Sequence, residues 1–372
     1  MSHVYTLFFG ITGSFDDTDG QKTSRKKEEL AMNQDLKWVK AIAPDMVDVI
    51  EQRFNVLRNI DWSAPIGRRT LAQSLDISER VLRTETDFLR KQDLITSTRS
   101  GMVLTAKGKE TVRGLAPLIE QLSGMQQLER QLCRKLGLRQ CYVVPGDSDL
   151  QFQVVDAMGK VLNNKLKDLL PVGTNVIAVM GGSTMAEVAK QLTADLSVDR
   201  QLTFVPARGG VGERIDIQAN NISAQMALRT NSLHRALYVP EHVSEDTYRP
   251  LLAEPSVRQV VDLIRHSNAA IHSIGEAVKM AERRAMPPEV IAQLQAEHAV
   301  GEAFGYFFNE EGAIVHRIPR IGLQLEDLAT MDCVVAVAGG ASKAKAITAY
   351  VKIAPPQTCL ITDEGAARMI LN

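Results

Sequence analysis

Apolar side chains recur at steps of three and four along residues 45–60. Met46, Val49, Ile50, Phe54, Leu57 and Ile60 fall on one face, which predicts an amphipathic helix. Beyond Pro65 a shorter helical pattern turns Leu71, Ala72 and Leu75 inward. Asp76 and Ile77 predict a tight turn, and Ser78 is placed to cap a second helix with Val81, Leu82, Phe88 and Leu89 as its buried positions. Two short strand-like runs flank Ser100 and Gly101, between Leu94 and Thr105, and a helical pattern resumes after them. Helix, turn, helix and hairpin form a winged helix-turn-helix plan, assigned to residues 32–113. Leu115, Leu118, Ile119, Leu122, Met125, Leu128, Leu132 and Leu136 then predict one linker helix over residues 114–137, which either self-pairs or packs on the second domain.

After Arg139 the pattern changes. Short β-branched or apolar runs each end in a turn: CYVVPGDSD, NVIAVMGGST, LTFVPARGG, RALYVPEHV, AAIHSIGEA, CVVAVAGGASK and TCLITDEGA. Most lead into a helical pattern. This alternation predicts an α/β domain over residues 138–372, a doubly wound, Rossmann-like and mainly parallel sheet. Ligands of such sheets sit outside the carboxyl ends of the strands, so the turns are the candidate site.

A length of 372 residues suits two domains, and 45% apolar with 23% charged residues describes a globular chain with ample core. The net charge of −1 gives no whole-molecule attraction for nucleic acid or membrane. Between Ile66 and Arg113, however, ten Lys/Arg face six Asp/Glu. Arg68, Arg69, Arg80, Arg83 and Arg99, with Ser78, occupy places that meet phosphates and the major groove in a winged helix. The acidic Glu79, Glu85 and Asp87 lie among them, and a solvated helix face is the competing reading. Cys133, Cys141, Cys333 and Cys359 form no CxxC, so no metal or redox motif is expected and a reducing cytoplasmic setting fits. No apolar run is long enough to span a bilayer. Residues 1–31 carry neither the charge pattern nor the cleavage site of a signal peptide and read as a disordered extension, with Met32 a more natural start.

Three turns carry chemistry. In MGGST, Gly181 and Gly182 permit close backbone approach, and Ser183 and Thr184 open a helix whose first amides favour an anion. In PARGG, Arg208 offers a permanently charged fork before Gly209 and Gly210. In AGGASKAKA, Gly339 and Gly340 precede Ser342 and Lys343. Neither GxGxxG nor a Walker A ending is present, so no nucleotide cofactor is implied. Each glycine pair alone reads equally as a tight turn. Together they point to an anionic ligand with one or two phosphates.

The stretches PIGRRTLAQSLDISERVLR, LTFVPARGG, EPSVRQV, GEAFGYFFN and TDEGAA, with MGGST and AGGASKAKAI, resemble the SorC/DeoR-type bacterial transcription regulators over residues 32–372. The resemblance implies a repressor of a glycolytic operon, an effector domain of the sugar-phosphate isomerase/deaminase type, and fructose 1,6-bisphosphate as effector. It implies that Ser183 and Thr184, with the amides of Gly181 and Gly182, hold one phosphate. Arg208 would meet a phosphate, with Gln218 downstream in the same segment, and Lys343, after Gly340, would hold the other. Glu302 would accept sugar hydroxyls, and Arg283 would lie near the site. Operator DNA is the implied partner, and a homodimer or homotetramer suits it, because two-fold proteins read two half-sites.

A sugar-phosphate isomerase or deaminase is the competing function, and it needs a base. Of the seven histidines none lies in a GG-type turn; His272 is the best placed, with Glu302, Asp363 and Glu364 as carboxylate candidates. The winged helix has no role in such an enzyme, so a regulator is the favoured reading. A protein-interaction module is the third class; it leaves both the basic winged helix and the phosphate turns unexplained.

Overall fold

The computed structural model describes residues 38, 39, 41–75, 77–122, 124–209, 214–240 and 245–372. The expected extension at residues 1–31, Asp76 of the expected turn, and Gly210 lie outside them. The chain divides into two compact units: residues up to Arg68 with Glu79–Ser123, and Arg69–Ser78 with Gly124–Asn372.

In the first unit, helix α1 (Pro44–Ser63) buries Val47, Phe54, Val56, Leu57 and Ile60. Val47 and Phe54 pack against Ile119 and Leu122 of α4 (Ala106–Leu122). The buried stripe is therefore turned from the expected one: Met46 is 60% and Val49 40% exposed. The short helix α2 (Arg68–Ser74), which buries Leu71 and Ala72, groups for the most part with the second unit. Helix α3 (Glu79–Lys91) buries Leu82, Thr86 and Leu89, whereas Val81 and Phe88 stay largely exposed. Phe88 is not inside as expected; instead the Arg53 guanidinium stands 3.6 Å from its ring, while Arg53 Nε donates to Glu85 at 2.8 Å. Strands β1 (Ile95–Thr98) and β2 (Gly101–Leu104) pair antiparallel, with Thr98 opposite Gly101 and Arg99 in the turn between them.

The linker expected as one helix is two. Helix α4 stops at Leu122, and Gly124, in the left-handed region at φ 70°, starts α5 (Met125–Leu136). Leu128 and Leu132 of α5 are buried with Leu138, Cys141 and Val143, so they serve this chain's own core rather than a self-paired coil.

The second unit is built on seven parallel strands in the order β3-β13-β12-β7-β4-β5-β6. They are β3 (Gln140–Val144), β4 (Gly173–Val179), β5 (Arg200–Pro206), β6 (Leu233–His234), β7 (Ala269–His272), β12 (Cys333–Val337) and β13 (Thr358–Asp363). Helices α6 (Val154–Leu169), α7 (Ser183–Ala189), α8 (Ala219–Arg229), α9 (Glu245–Ala253), α10 (Pro255–Arg265), α13 (Ala344–Ile353) and α14 (Glu364–Leu371) alternate with them. Every residue of β12 and β13 is buried, as expected of a parallel sheet covered on both faces. Six of the seven runs read from sequence supply a strand; RALYVPEHV, which begins at Arg235, lies just beyond the short strand Leu233–His234 and supplies none.

Between β7 and β12 the chain inserts a four-stranded antiparallel sheet, order β11-β10-β9-β8, from β8 (Gly275–Glu276), β9 (Ala299–Ala303), β10 (Tyr306–Asn309) and β11 (Ile314–Arg317). Helices α11 (Ala277–Arg283) and α12 (Pro288–Ala296) pack on it around Ala281, Leu294, Phe307 and Ile318. The main sheet grows from β4 to β5 and β6 on one side, and through β7, β12 and β13 on the other. Its switch point, where the ends of neighbouring strands lead away from each other, lies between β4 and β7.

Candidate functional site

A cavity of about 200 Å³ opens at this switch point. Its lining draws on the turns after β4, β5, β7 and β12, and on α11 and β9 of the inserted sheet.

Strand β4 delivers Met180, Gly181 and Gly182 to the cavity. A Cβ on Gly181 would lie 2.6 Å from the Ile217 carbonyl oxygen, and Gly182 has φ 126°, so both positions require glycine. Ser183 and Thr184 follow at the start of α7 and line the wall. The Gly182 amide, expected to hold a phosphate, instead donates to Ile217 O at 2.9 Å.

Arg208 follows β5, 4% exposed, its backbone bridged to Gly322. Its Nη2 lies 3.6 Å from where a Gly181 side chain would begin, which sets the guanidinium beside the glycine turn. Opposite, Glu302 is buried on β9. One of its oxygens accepts from the Gly305 amide at 2.6 Å and the other from Arg284 Nη2 at 3.3 Å. Burial pushes this carboxyl up, but the Arg284, Arg320 and Arg208 guanidiniums and the Gly305 amide outweigh that and hold it below the usual carboxylate value. Glu302 is therefore an anion, fixed as an acceptor.

Lys279 and Arg283 stand four residues apart on α11 and both line the cavity, as does Lys343. Gly340 does not line it but shapes the turn that carries Lys343. At φ 97°, Gly340 donates its amide to Asp363 Oδ2 at 2.7 Å, and a side chain there would strike Asp149. Ser342 donates its amide to Asp149 Oδ2 at 2.8 Å. Burial draws the Lys343 ammonium below the usual lysine value; Asp149, Glu276 and Asp363 oppose this, and Arg283 adds to it. Gln218 lies immediately before α8 and does not line the cavity.

The lining holds five cations, Arg208, Lys279, Arg283, Arg284 and Lys343, against the carboxylates Glu276 and Glu302. An excess of this size suits a ligand with more than one negative charge. Lys279, Arg284 and Glu276 were not singled out from sequence. The i, i+4 spacing of Lys279 and Arg283 in AVKMAERR was the available signal for the first of them.

The candidate bases are otherwise engaged. Asp363 accepts from Ser148 N at 2.8 Å and Gly340 N at 2.7 Å, and its other oxygen caps α14 through Ala366 N at 2.9 Å. His272 is fully buried, its Nε2 2.9 Å from the Tyr350 hydroxyl and its Nδ1 3.2 Å from Ser273 O. The Phe304 ring lies tilted against the imidazole, centre to centre 4.7 Å, and burial lowers the His272 pKa to about 4. The unfolded chain takes up this proton near its ordinary value, so stability is expected to rise with pH between about 4 and 6.5. Acidifying through that window should cost up to about 1.4 kcal/mol per pH unit from this residue. Urea unfolding at stepped pH measures the slope, and a flat profile over the window would rule out the buried neutral imidazole.

In the helix-turn-helix region, Arg68, Arg69, Ser78, Arg80, Arg83 and Arg99 are all exposed. Arg80 and Arg83 stand on α3. Arg83 lies 3.9 Å from Asp87, which also pairs with Arg90 at 2.8 Å. Such exposed pairs hold their charges weakly, and these arginines can be turned to a phosphate at small cost. Among the described residues no helix is long and apolar enough to cross a membrane.

Residues 49–119 match the family model described as "CggR N-terminal DNA binding domain", and residues 120–372 the one described as "Putative sugar-binding domain". The chain is 43% identical over 331 residues to the Central glycolytic genes regulator of Priestia megaterium, covering 89% of this chain and 96% of that protein. It is also 43% identical over 341 residues to the Central glycolytic genes regulator of Bacillus subtilis, covering 92% and 99%. A solved structure described as a "putative SorC family transcriptional regulator from Enterococcus faecalis" superposes with TM-score 0.64 and 53% identity, over 66% of this chain and all of that one. The full-length sorbitol operon regulator from Klebsiella pneumoniae, at 18% identity and TM-score 0.61 over 82% of this chain and 94% of its own, shares the fold. These likenesses define a transcriptional regulator with an N-terminal DNA-binding domain and a C-terminal sugar-binding domain, and not an enzyme. The chain belongs to the SorC-type family that includes the central glycolytic genes regulators.

Proposed function

We propose that this protein is a cytoplasmic repressor of a glycolytic operon whose grip on operator DNA is set by fructose 1,6-bisphosphate. The observation that carries the ligand class is the charge of the cavity: five cations and two carboxylates around about 200 Å³ at the sheet's switch point. The names of the two relatives at 43% identity supply the glycolytic setting. Ser183, Thr184 and Arg208 hold one phosphate, Lys343 with Arg283 holds the other, and Glu302 accepts sugar hydroxyls between them. Gln218 lies outside the lining, beside Ile217, whose carbonyl holds the MGGST turn.

DNA is held by Arg80 and Arg83 of α3, Arg99 of the hairpin tip, and Arg68, Arg69 and Ser78, in a homodimer or homotetramer that reads two half-sites. Titrating the protein with fructose 1,6-bisphosphate, fructose 6-phosphate, glucosamine 6-phosphate and inorganic phosphate in a calorimeter tests the effector. Saturable binding favouring the bisphosphate is expected, and no binding of any sugar phosphate would end the reading. For the DNA face, Arg83→Ala is expected to weaken operator binding and to lower the salt slope by about one. Unchanged affinity at matched salt would move the reading face elsewhere.

A further inference from the structure

Helix α5, the first of the sugar-binding region, is apolar on one face and cationic on the other. Met125, Leu128 and Leu132 are buried, and Glu129 Oε1 accepts from the Val143 amide at 3.0 Å, which ties the helix to β3. Arg130 and Arg134 stand one turn apart on the opposite face, Lys135 follows, and Arg139 lies just past the helix end. All four are exposed. The segment from Arg130 to Gln140 contains no acidic residue, and among the described residues none of the four forms an ion pair.

Other helices of the second unit set an acid beside such a cation. Lys190 pairs with Glu187 at 2.7 Å, Arg258 with Asp262 at 3.9 Å and Arg368 with Glu364 at 2.7 Å. The α5 face lacks that neutralisation. The negative end of the helix dipole accounts for Arg134 and Lys135 in the last turn, but not for Arg130 a turn earlier or Arg139 beyond the end.

We propose that this face of α5 is a second contact for the phosphate backbone of duplex DNA, made by the sugar-binding unit itself and separate from the winged helix. The proposal rests on the DNA-binding reading of the chain and adds a surface to it. DNA is the partner that the charge fits: exposed guanidiniums and ammoniums on flexible stems suit a row of phosphates and need no base sequence. Arg130 and Arg134 are separated by about 6 Å of helix axis, so each meets its own phosphate. Helix α5 also begins within three residues of the end of α4, the last helix of the DNA-binding region.

The same helix is one strand away from the sugar cavity. Its partner β3 leads into the turn that carries Asp149, and Asp149 Oδ2 accepts from the Ser342 amide at 2.8 Å, next to Lys343 in the cavity lining. A ligand that moves the Lys343 turn therefore acts on β3 and on the helix packed against it, so this contact responds to the sugar without passing through the winged helix.

The test uses the full chain and an operator recovered by selection from random duplexes, with affinity measured across a salt series. Wild type is compared with R130Q/R134Q/K135Q, with R130K/R134K and with Arg83→Ala. The triple variant is expected to lower the slope of log affinity against log salt by about two to three for each copy of the chain on the DNA. R130K/R134K, which keeps the charges, is expected to retain the wild-type slope. A wild-type slope in the triple variant would overturn the second contact. If Arg83→Ala lowers the slope in that same series, the winged-helix face still stands; if it too changes nothing, both fall. A changed sedimentation of the DNA-free triple variant, with its salt slope intact, would assign the face to a second copy of the chain and overturn the proposal.

Discussion

Arg208→Ala protein is expected to bind its operator as wild type does and to ignore fructose 1,6-bisphosphate. Arg208 is 4% exposed and lines the cavity beside the glycine turn, so in the proposed complex its charge would meet the phosphate away from water. Truncating one partner of such a buried, hydrogen-bonded charge pair costs about 2–5 kcal/mol, a loss of roughly 30-fold to several thousandfold in affinity. Calorimetry gives the sugar affinity, and fluorescence anisotropy with a labelled duplex gives the operator affinity. Loss of both together would show that Arg208 holds the fold or the assembly and is not only a ligand contact.

Glu302→Ala has the largest expected effect on stability. Glu302 is buried with Arg284 at 3.3 Å, and Arg320 and Arg208 also act on its charge. Removing it leaves guanidiniums in the interior without their counter-ion, a change worth about 3–5 kcal/mol of destabilisation. Urea unfolding of wild type and variant gives the difference; a change below about 1 kcal/mol would mean that other groups satisfy the arginines. Because the folded carboxyl is held below its ordinary value, this stability is present above the unfolded pKa and is lost as pH falls through the folded one. The wild-type advantage over the variant should therefore shrink in strong acid.

The parts of the molecule that were legible in the chain are those where local chemistry permits one solution. Gly181 and Gly182 announced a close approach because a Cβ at Gly181 meets the Ile217 carbonyl and φ at Gly182 is 126°. The strand-ending turns announced the site because a parallel sheet leaves its ligand no other place. The phase of α1 differs from the expected one because Val47, not Met46, meets Ile119 and Leu122, and only the tertiary partner decides between neighbouring stripes. Phe88 stays at the surface because Arg53 covers it, a contact between residues far apart in sequence. Adjacent Arg283 and Arg284 could not be separated by pattern, yet one ends α11 and the other reaches Glu302. Glu276 gave no signal, and Asp363 read only as a candidate base although it caps α14, since a base, a cap and an ion-pair partner look alike in a sequence.

In the proposed regulator, one ligand site and one DNA face share a single equilibrium. The direct test of that coupling is the affinity for operator DNA, recovered by selection from random duplexes, measured at fixed salt with and without saturating fructose 1,6-bisphosphate. Operator affinity is expected to fall by about 5-fold to 150-fold when the sugar is present, and sugar affinity to fall by the same factor when the operator is present. Identical operator affinity in both conditions, with the sugar shown to be bound, would contradict the coupling.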